Sequence, residues 1–185
     1  MEQEANPWKT IQISTPYEND WIRLEHHDVI KPNGEPGIYG KVHFKNQAIA
    51  VLPIDAEGNT YLVGQFRYTI NAYSWELPEG GCQDESPLDA AKRELKEETG
   101  LMASQWTLLG ENYLSNSVTD EKAIMFLATN LQFTEAEPED TEQLQIKKIP
   151  VQEAIRMALN GEIKDVLSIT TLLTYALKVP GLHLL

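Results

Sequence analysis

The stretch RELKEETGL at residues 93–101 decides how this chain folds and what chemistry it can carry. On an α-helix, residues three and four positions apart lie on one face, so Glu94, Glu97 and Glu98 should project together. Carboxylates on one face are hard oxygen ligands of the kind that Mg²⁺ or Mn²⁺ prefers, above all where substrate phosphates complete the coordination. The pattern therefore indicates metal-assisted hydrolysis of a diphosphate.

The residues around this stretch predict a helix with defined ends. Ser86-Pro87-Leu88-Asp89 supplies an N-cap, a proline in the first turn and an acid at the capping-box position. Gly100 can adopt the left-handed conformation that ends many helices. The preceding PEGG at residues 78–81 is interpreted as a glycine-rich turn that lets the backbone approach a phosphate or metal closely. A solvated acidic face is the alternative, since like-charged pairs cost only about 0.2–0.5 kcal/mol each.

The segment from Gly80 to Leu101 resembles the Nudix box, the loop-helix-loop signature of the Nudix hydrolases. The resemblance implies an α/β/α sandwich around a mixed sheet, with a small N-terminal antiparallel sheet in addition. It also implies hydrolysis of a nucleoside diphosphate linked to another group, with two to three Mg²⁺ or Mn²⁺ ions bound together with the substrate.

The same resemblance assigns roles to individual residues. Arg93 and Glu85 brace the loop and the helix, and Gly100 is a structural position of the motif. Five residues separate the glycine from the first glutamate in the family, whereas four separate Gly80 from Glu85, so the loop is one residue shorter here. The implied metal ligands are three side chains and one backbone carbonyl: Glu94, Glu97, Glu98 and the carbonyl of Glu79.

The resemblance extends over nearly the whole chain and is greatest to the ADP-ribose and ADP-sugar pyrophosphatases. The stretches that carry it are QFRY at 65–68, WELPEG at 75–80, TDEK at 119–122 and NGEIKD at 160–165. This branch implies cleavage of ADP-ribose or another ADP-sugar to AMP and a sugar phosphate. It also implies a homodimer that exchanges its N-terminal sheet, so residues 1–45 are expected to be a dimerisation piece and residues 46–185 the Nudix domain.

Four residues are candidates for binding the substrate. The guanidinium of Arg67 can hold phosphate oxygens in a bidentate fork, but a strand-edge arginine paired with an acid explains it equally well. Glu76 lies beside the site by resemblance and is an acid with which Arg67 could pair. Gly80 and Gly81 allow close approach of the backbone to the diphosphate.

The attacking water needs a base, and the sequence offers two main candidates. Some family members use a glutamate of the box, here Glu97, whereas the ADP-ribose branch often takes one from a loop before the last strand. That loop is the acidic run at residues 135–142, in which Glu142 is the best match, as base or as an auxiliary metal ligand, ahead of Asp140 and Glu139. Most of the run is expected to be solvated loop.

Length, charge and cysteine content exclude several classes of protein. The 185 residues suffice for one domain with a small addition. The net charge of −13 argues against a nucleic-acid partner, because binding nucleic acid needs clustered lysine and arginine. The same charge agrees with an enzyme that uses metal cations to act on an anionic substrate. The single cysteine, Cys82, favours a reducing compartment and is interpreted as a packing residue. With no signal peptide or membrane span recognised, the cytoplasm is the expected location.

The rest of the sequence predicts short strands followed by two helices. Three N-terminal strands cannot bury both faces by themselves, so they need a further surface. Trp75 and Tyr68 are expected to pack in the core. The expected strands are at 10–14, 21–29, 39–44, 48–54, 61–68, 106–113, 123–129 and 144–149, and the expected C-terminal helices are at 151–159 and 166–178.

Several functions remain open on the sequence. The ADP-ribose subgroup usually has a proline shortly beyond the box, and residues 114–118 contain none, which leaves other ADP-sugars and GDP-sugars open. Dinucleoside polyphosphates and nucleoside triphosphates are further substrate classes. A non-catalytic sensor of nucleotide sugars would not need the intact glutamates, and an acidic interaction domain would leave the capped helix unexplained.

Overall fold

The computed structural model describes residues 5–134 and 144–179. The chain divides into two compact units, one formed by the residues up to Asn46 with Tyr113–Glu121, the other by Gln47–Asn112 with the residues from Lys122 on. The elements are β1 (Lys9–Glu18), β2 (Ile22–Ile30), β3 (Pro36–Phe44), β4 (Gln47–Ile54), β5 (Asn59–Arg67), a 3₁₀ turn (Tyr68–Ile70), β6 (Ala72–Glu76), β7 (Glu79–Cys82), α1 (Pro87–Thr99), β8 (Leu101–Tyr113), β9 (Lys122–Phe133), β10 (Gln145–Pro150), α2 (Val151–Leu159) and α3 (Val166–Lys178).

The first unit is an antiparallel sheet in the order β1-β2-β3. β2 and β3 pair without interruption from Ile22↔Phe44 to Ile30↔Pro36. The loop at 113–121 belongs to this unit, where Asp120 accepts hydrogen bonds from the His43 ring and from the Phe44 N–H. β1 is exposed along its whole length.

The second unit is built on a four-stranded sheet in the order β7-β4-β9-β8. β4 runs antiparallel to β7 and parallel to β9, so the sheet is mixed. β4 is almost wholly buried, which agrees with its continuous apolar sequence. A second, antiparallel sheet has the order β10-β5-β6.

Helices cover both faces of the four-stranded sheet because alternate residues of β4 point in opposite directions. Ile49 and Val51 pack in one cluster with Leu95 of α1. Leu52 and Ile54 pack in the other cluster with residues of α2 and α3. The expected α/β/α sandwich around a mixed sheet is therefore confirmed.

Helix α1 begins and ends where the sequence predicts. The Ser86 side chain accepts a hydrogen bond of 3.1 Å from the Asp89 N–H. Gly100 ends the helix with φ 67°, in the left-handed region. The two C-terminal helices also have the expected bounds, and Asp165 caps α3.

Some predictions for the second unit were wrong. The glycine-rich segment is not a simple turn, because Glu79–Cys82 forms β7 and pairs with β4. β6 was missed, and β8 begins at Leu101, earlier than expected. Tyr68 does not pack in the core, since it is 93% exposed on the 3₁₀ turn. Trp75 does pack against the core, as predicted. Within the described residues, no helix combines the length and the apolar character that a bilayer crossing requires.

Candidate active site

Helix α1 and strand β7 are joined at Glu98. This glutamate is only 3% exposed, and its Oε2 accepts a hydrogen bond of 2.9 Å from the backbone N–H of Glu79. Glu94 and Glu97 are partly buried on the same helix. The hydrogen bond thus fixes the orientation of one carboxylate of the motif against the strand that precedes the helix.

Arg93 ties the helix to the loop before it. Its Nη1 donates to Glu94 at 2.8 Å and to Glu97 at 2.9 Å. Its Nη2 donates to Glu85 at 2.7 Å and to the carbonyl oxygen of Gly81 at 2.9 Å. Burial lowers the pKa of Arg93, but its carboxylate partners outweigh burial and raise the pKa above the ordinary value. Arg93 therefore remains a cation that holds three acids together.

The loop between Gly80 and Glu85 is one residue shorter than the motif predicts, and it still allows the contact between Glu85 and Arg93. Glu85 still reaches Arg93, through both Nε at 3.1 Å and Nη2. Asp84, just before it, takes φ 57°, a left-handed conformation that is uncommon outside glycine. The loop thus reaches Glu85 through a residue in the left-handed conformation.

Gly80 packs directly under Glu94. A Cβ atom built on Gly80 would lie 2.1 Å from the Glu94 carboxyl carbon, which is well inside contact distance. A side chain at this position would therefore displace the Glu94 carboxylate. This close approach is the structural reason for a glycine in the segment.

A second charge cluster lies around Arg67. Its Nε donates to both carboxylate oxygens of Glu76, at 3.1 and 3.0 Å, and its Nη2 donates to Glu79 at 2.9 Å. Glu76 is 3% exposed. The pairing of Arg67 with acids, one of its two interpretations, is present in the structure, and its contact with a diphosphate stays a prediction.

The side chain of Glu79 has an unusual environment. Its Oε2 is buried and accepts no hydrogen bond from any residue that the structure describes. Burial, followed by the nearby carboxylates of Asp165 and Glu76, raises the pKa of the Glu79 carboxyl well above its ordinary value, although Arg67 opposes this. The sequence assigned a role only to the Glu79 carbonyl, so this buried carboxyl group is a finding of the structure.

The start of α3 reaches the site, which the sequence did not predict. Ser168 Oγ accepts a hydrogen bond of 2.8 Å from the Leu77 N–H, two residues before Glu79. Asp165 accepts one of 2.6 Å from the Ser168 N–H. The only signal available in the sequence was the NGEIKD stretch at residues 160–165.

Cys82 is a packing residue, as predicted. It is buried in the cluster beneath α1. Burial and the Glu85 carboxylate raise the pKa of its thiol, which keeps the thiol protonated and unreactive.

A cavity of 340 Å³ lies between α1 and the first half of β8. Trp106 and Met102 form its apolar wall. The residues that line it on α1 are mostly cationic: Lys92, Arg93, Lys96 and Glu97. The cavity adjoins the motif through Arg93 and Glu97.

The donor set of the motif fits a hard divalent cation, although the side chains do not converge on one point. In residues 5–134 and 144–179, no three acidic, histidine or cysteine side chains surround a common position. Glu94 and Glu97 instead bind Arg93, and Glu98 binds the Glu79 N–H. All three are carboxylates on one helix, and carboxylate oxygens are the ligands that Mg²⁺ and Mn²⁺ prefer. Glu142, with Glu139 and Asp140, lies outside the described residues.

The fold and this site define a Nudix hydrolase, and the chain belongs to the Nudix family. Residues 44–168 match the NUDIX domain. Residues 8–42 match the nucleoside diphosphate sugar hydrolase N-terminal domain. The predicted family and enzyme class, a pyrophosphohydrolase, are confirmed, and Nudix hydrolases generally need a divalent metal.

Individual relatives make the comparison more specific. The chain is 33% identical to an ADP-ribose pyrophosphatase of Mycobacterium tuberculosis over 174 residues, which cover 90% of this chain and 82% of the relative. It is 31% identical to an ADP-ribose pyrophosphatase of Bacillus subtilis over 160 residues, which cover 85% of this chain and 86% of that one. The crystal structure of an ADP compounds hydrolase superposes with a TM-score of 0.86 at 19% identity, with both chains fully covered, and shows the same fold.

Proposed function

We propose that this chain hydrolyses the diphosphate linkage of a nucleoside diphosphate sugar, in the first place ADP-ribose or another ADP-sugar, and releases AMP and a sugar phosphate. The observation that carries the proposal is the anchoring of the α1 glutamates, since Glu98 is oriented by the Glu79 N–H and Arg93 holds Glu94 and Glu97. The names of the relatives and the match of residues 8–42 support the substrate class.

The proposed cofactor is Mg²⁺ or Mn²⁺, with two to three ions in the complex with substrate. The ligands would be the side chains of Glu94, Glu97 and Glu98 and the carbonyl of Glu79. When bound, such ions neutralise charge on a diphosphate and lower the pKa of a water ligand. The carboxylates of this chain supply the negative charge that holds them beside an anionic substrate.

The other residues of the site position the substrate and accept a proton. The Arg67 side chain is 38% exposed and already fixed by Glu76, so its guanidinium can present N–H groups to a diphosphate oxygen. Gly80 and Gly81 carry no side chains, so their backbone can approach a phosphate group closely. A carboxylate takes the proton of the water that attacks phosphorus, and Glu142 and Glu97 are the two candidates for this base.

The proposed assembly is a homodimer formed through the N-terminal strands. All ten residues of β1 are exposed, among them Ile11 at 65% and Ile13 at 53%. Apolar side chains on a fully exposed strand gain stability when a second copy covers them. A reducing compartment, the cytoplasm, agrees with the one buried free cysteine.

The first experiment measures product release from a panel of substrates with Mg²⁺ or Mn²⁺. The panel includes ADP-ribose, ADP-glucose, GDP-mannose, UDP-glucose, NADH, diadenosine polyphosphates and nucleoside triphosphates. We expect cleavage concentrated on ADP-ribose or another ADP-sugar and abolished by chelator. Binding of a nucleotide sugar without any metal-dependent product would contradict the proposal and favour a sensor.

A second experiment tests the residue roles with isosteric amides. Glu97→Gln and Glu98→Gln should keep the fold and lower turnover by orders of magnitude, because each removes a proposed metal ligand. Glu153→Gln, at an exposed position of α2, is the control and should keep normal turnover. If Glu142 is the base, Glu142→Gln lowers kcat with no change in metal dependence, whereas Glu97→Gln changes both. Near-normal turnover in Glu97→Gln and Glu98→Gln would rule out the assignment.

A further inference from the structure

Helix α3 contacts the segment between β6 and β7 through one buried hydroxyl group. Ser168 is fully buried, and its Oγ accepts the hydrogen bond from Leu77, a residue 91 positions earlier. Asp165 holds this end of the helix by accepting the Ser168 N–H. A buried N–H without a partner is costly, so the Ser168 hydroxyl determines where Leu77 lies relative to α3.

The segment from Leu77 to Glu79 is held at three successive backbone groups. Ser168 holds the Leu77 N–H. The Pro78 carbonyl accepts a hydrogen bond of 2.9 Å from the Val51 N–H of the central strand β4. The Glu79 N–H donates to Glu98. Because Pro78 has a fixed φ, the backbone between Leu77 and Glu79 has less freedom to adjust than it would have with another residue there.

Glu98 is the end point of this series of contacts. Its carboxylate is buried, and the bond from the Glu79 N–H fixes which oxygen points to the strand and which points away. Hydrogen bonds of this kind orient metal ligands, and their loss costs about 10–100-fold in metal affinity. A shift of the Glu79 N–H would therefore change the orientation of the Glu98 carboxylate and with it the metal affinity.

We propose that Ser168 is a positioning residue of the metal site, which orients Glu98 through the backbone of Leu77–Glu79. Asp165 supports it by fixing the first turn of α3. The inference rests on the proposed function in one respect, since it takes Glu98 to be a metal ligand. Ser168 lies outside the motif that supplies the ligands, and a long-range contact of the fold brings it to the site.

The test measures Mn²⁺ binding without substrate, by electron paramagnetic resonance of the free ion, in Ser168→Ala and in a matched control. The control is Thr171→Val, which removes a hydroxyl group that is also fully buried but donates to the Leu167 carbonyl of its own helix. Thermal unfolding midpoints are recorded for both variants. We expect Ser168→Ala to bind Mn²⁺ about 10-fold more weakly and Thr171→Val to bind it as the wild type does.

Two further variants complete the test. Ser168→Cys keeps the shape of the side chain, with a somewhat larger atom that is a weak acceptor, so it should lower Mn²⁺ affinity in the same direction. It decides the question if Ser168→Ala does not fold. Glu98→Gln should also weaken Mn²⁺ binding. The inference would be overturned if the Ser168 variants bound Mn²⁺ with wild-type affinity, or if Thr171→Val lost as much Mn²⁺ affinity as they do. Wild-type Mn²⁺ affinity in Glu98→Gln would also overturn it. A wild-type protein that binds Mn²⁺ through Glu98 but cleaves no substrate of the panel would overturn the proposed function alone.

Discussion

At the scale of single residues, Glu94 packs against Gly80 and leaves no space for a side chain at position 80. The carboxylate occupies the space that any side chain at position 80 would fill. Glycine is therefore required here by its neighbour and not by its backbone conformation, because Gly80 is not among the residues with positive φ. The requirement links a residue of β7 to a proposed metal ligand on α1.

We expect Gly80→Ala to lower turnover by about 100-fold, since displacement of a catalytic group by about 1 Å has an effect of this size. The thermal midpoint should change little, because the flexible end of Glu94 can move aside. Gly40→Ala is the control, as a Cβ atom there meets nothing within 4 Å. Turnover assays on both variants check the prediction, and normal turnover in Gly80→Ala would contradict it.

Arg93 shows how one cation organises several acids. It contacts Glu85, Glu94 and Glu97 and the Gly81 carbonyl, so it replaces the repulsion among the acids by attraction. The resemblance implied only that Arg93 and Glu85 brace the loop and the helix. Its bond to Gly81 depends on the path of the loop and was not foreseeable from spacing.

At the scale of elements, the turn between β4 and β5 is stabilised by Asp55. Its carboxylate accepts hydrogen bonds from the N–H groups of Asn59 and Glu57 and lies 2.8 Å from Lys148 of β10. Burial alone would raise the pKa of Asp55, but Lys148 and Asn59 outweigh burial and lower it from 3.8 to about 2. The strands on either side of this turn were predicted from the sequence, whereas its contact with β10 was not.

Because the pKa of Asp55 is lower in the folded state, its stabilisation is complete above about pH 4 and is lost as the pH falls to about 2. Asp55→Asn should lower the free energy of unfolding at pH 7 by about 2 kcal/mol, and its difference from wild type should shrink below pH 4. Urea denaturation at several pH values measures this.

Glu57→Gln is the matched control for Asp55→Asn. Glu57 also pairs with Lys148, at 3.0 Å, but its side chain is 75% exposed. Exposed ion pairs contribute about 0–1 kcal/mol, so this variant should change stability little. If Asp55→Asn and Glu57→Gln lost the same free energy of unfolding, Asp55 would have no special role in the turn.

At the scale of the whole molecule, the N-terminal sheet exposes more apolar surface than a separate sheet of three strands should. Ile11, Ile13 and Tyr17 of β1 are each more than half exposed. Sheets of three strands need a covered face for stability. This exposure is the basis for the proposed homodimer.

We expect Ile13→Glu to convert a dimer to a monomer at micromolar concentration, because a charge at a buried apolar contact is costly. Light scattering coupled to size-exclusion chromatography measures the mass. Leu177→Glu is the control, since Leu177 on α3 is 85% exposed and has no proposed partner in the dimer. A monomeric wild type, or a dimeric Ile13→Glu, would contradict the proposal.

The sequence by itself determined the motif helix and its caps, and the sandwich architecture was implied by the resemblance of this motif to a known family. The helix ends are local features, because Ser86 and Gly100 act within their own turns. The tertiary structure alone decided that Glu79–Cys82 is a strand, because glycines have low strand propensity and the pairing is supplied by β4. It alone placed Ser168 against Leu77, since contacts over such long sequence separations leave no local pattern in the chain.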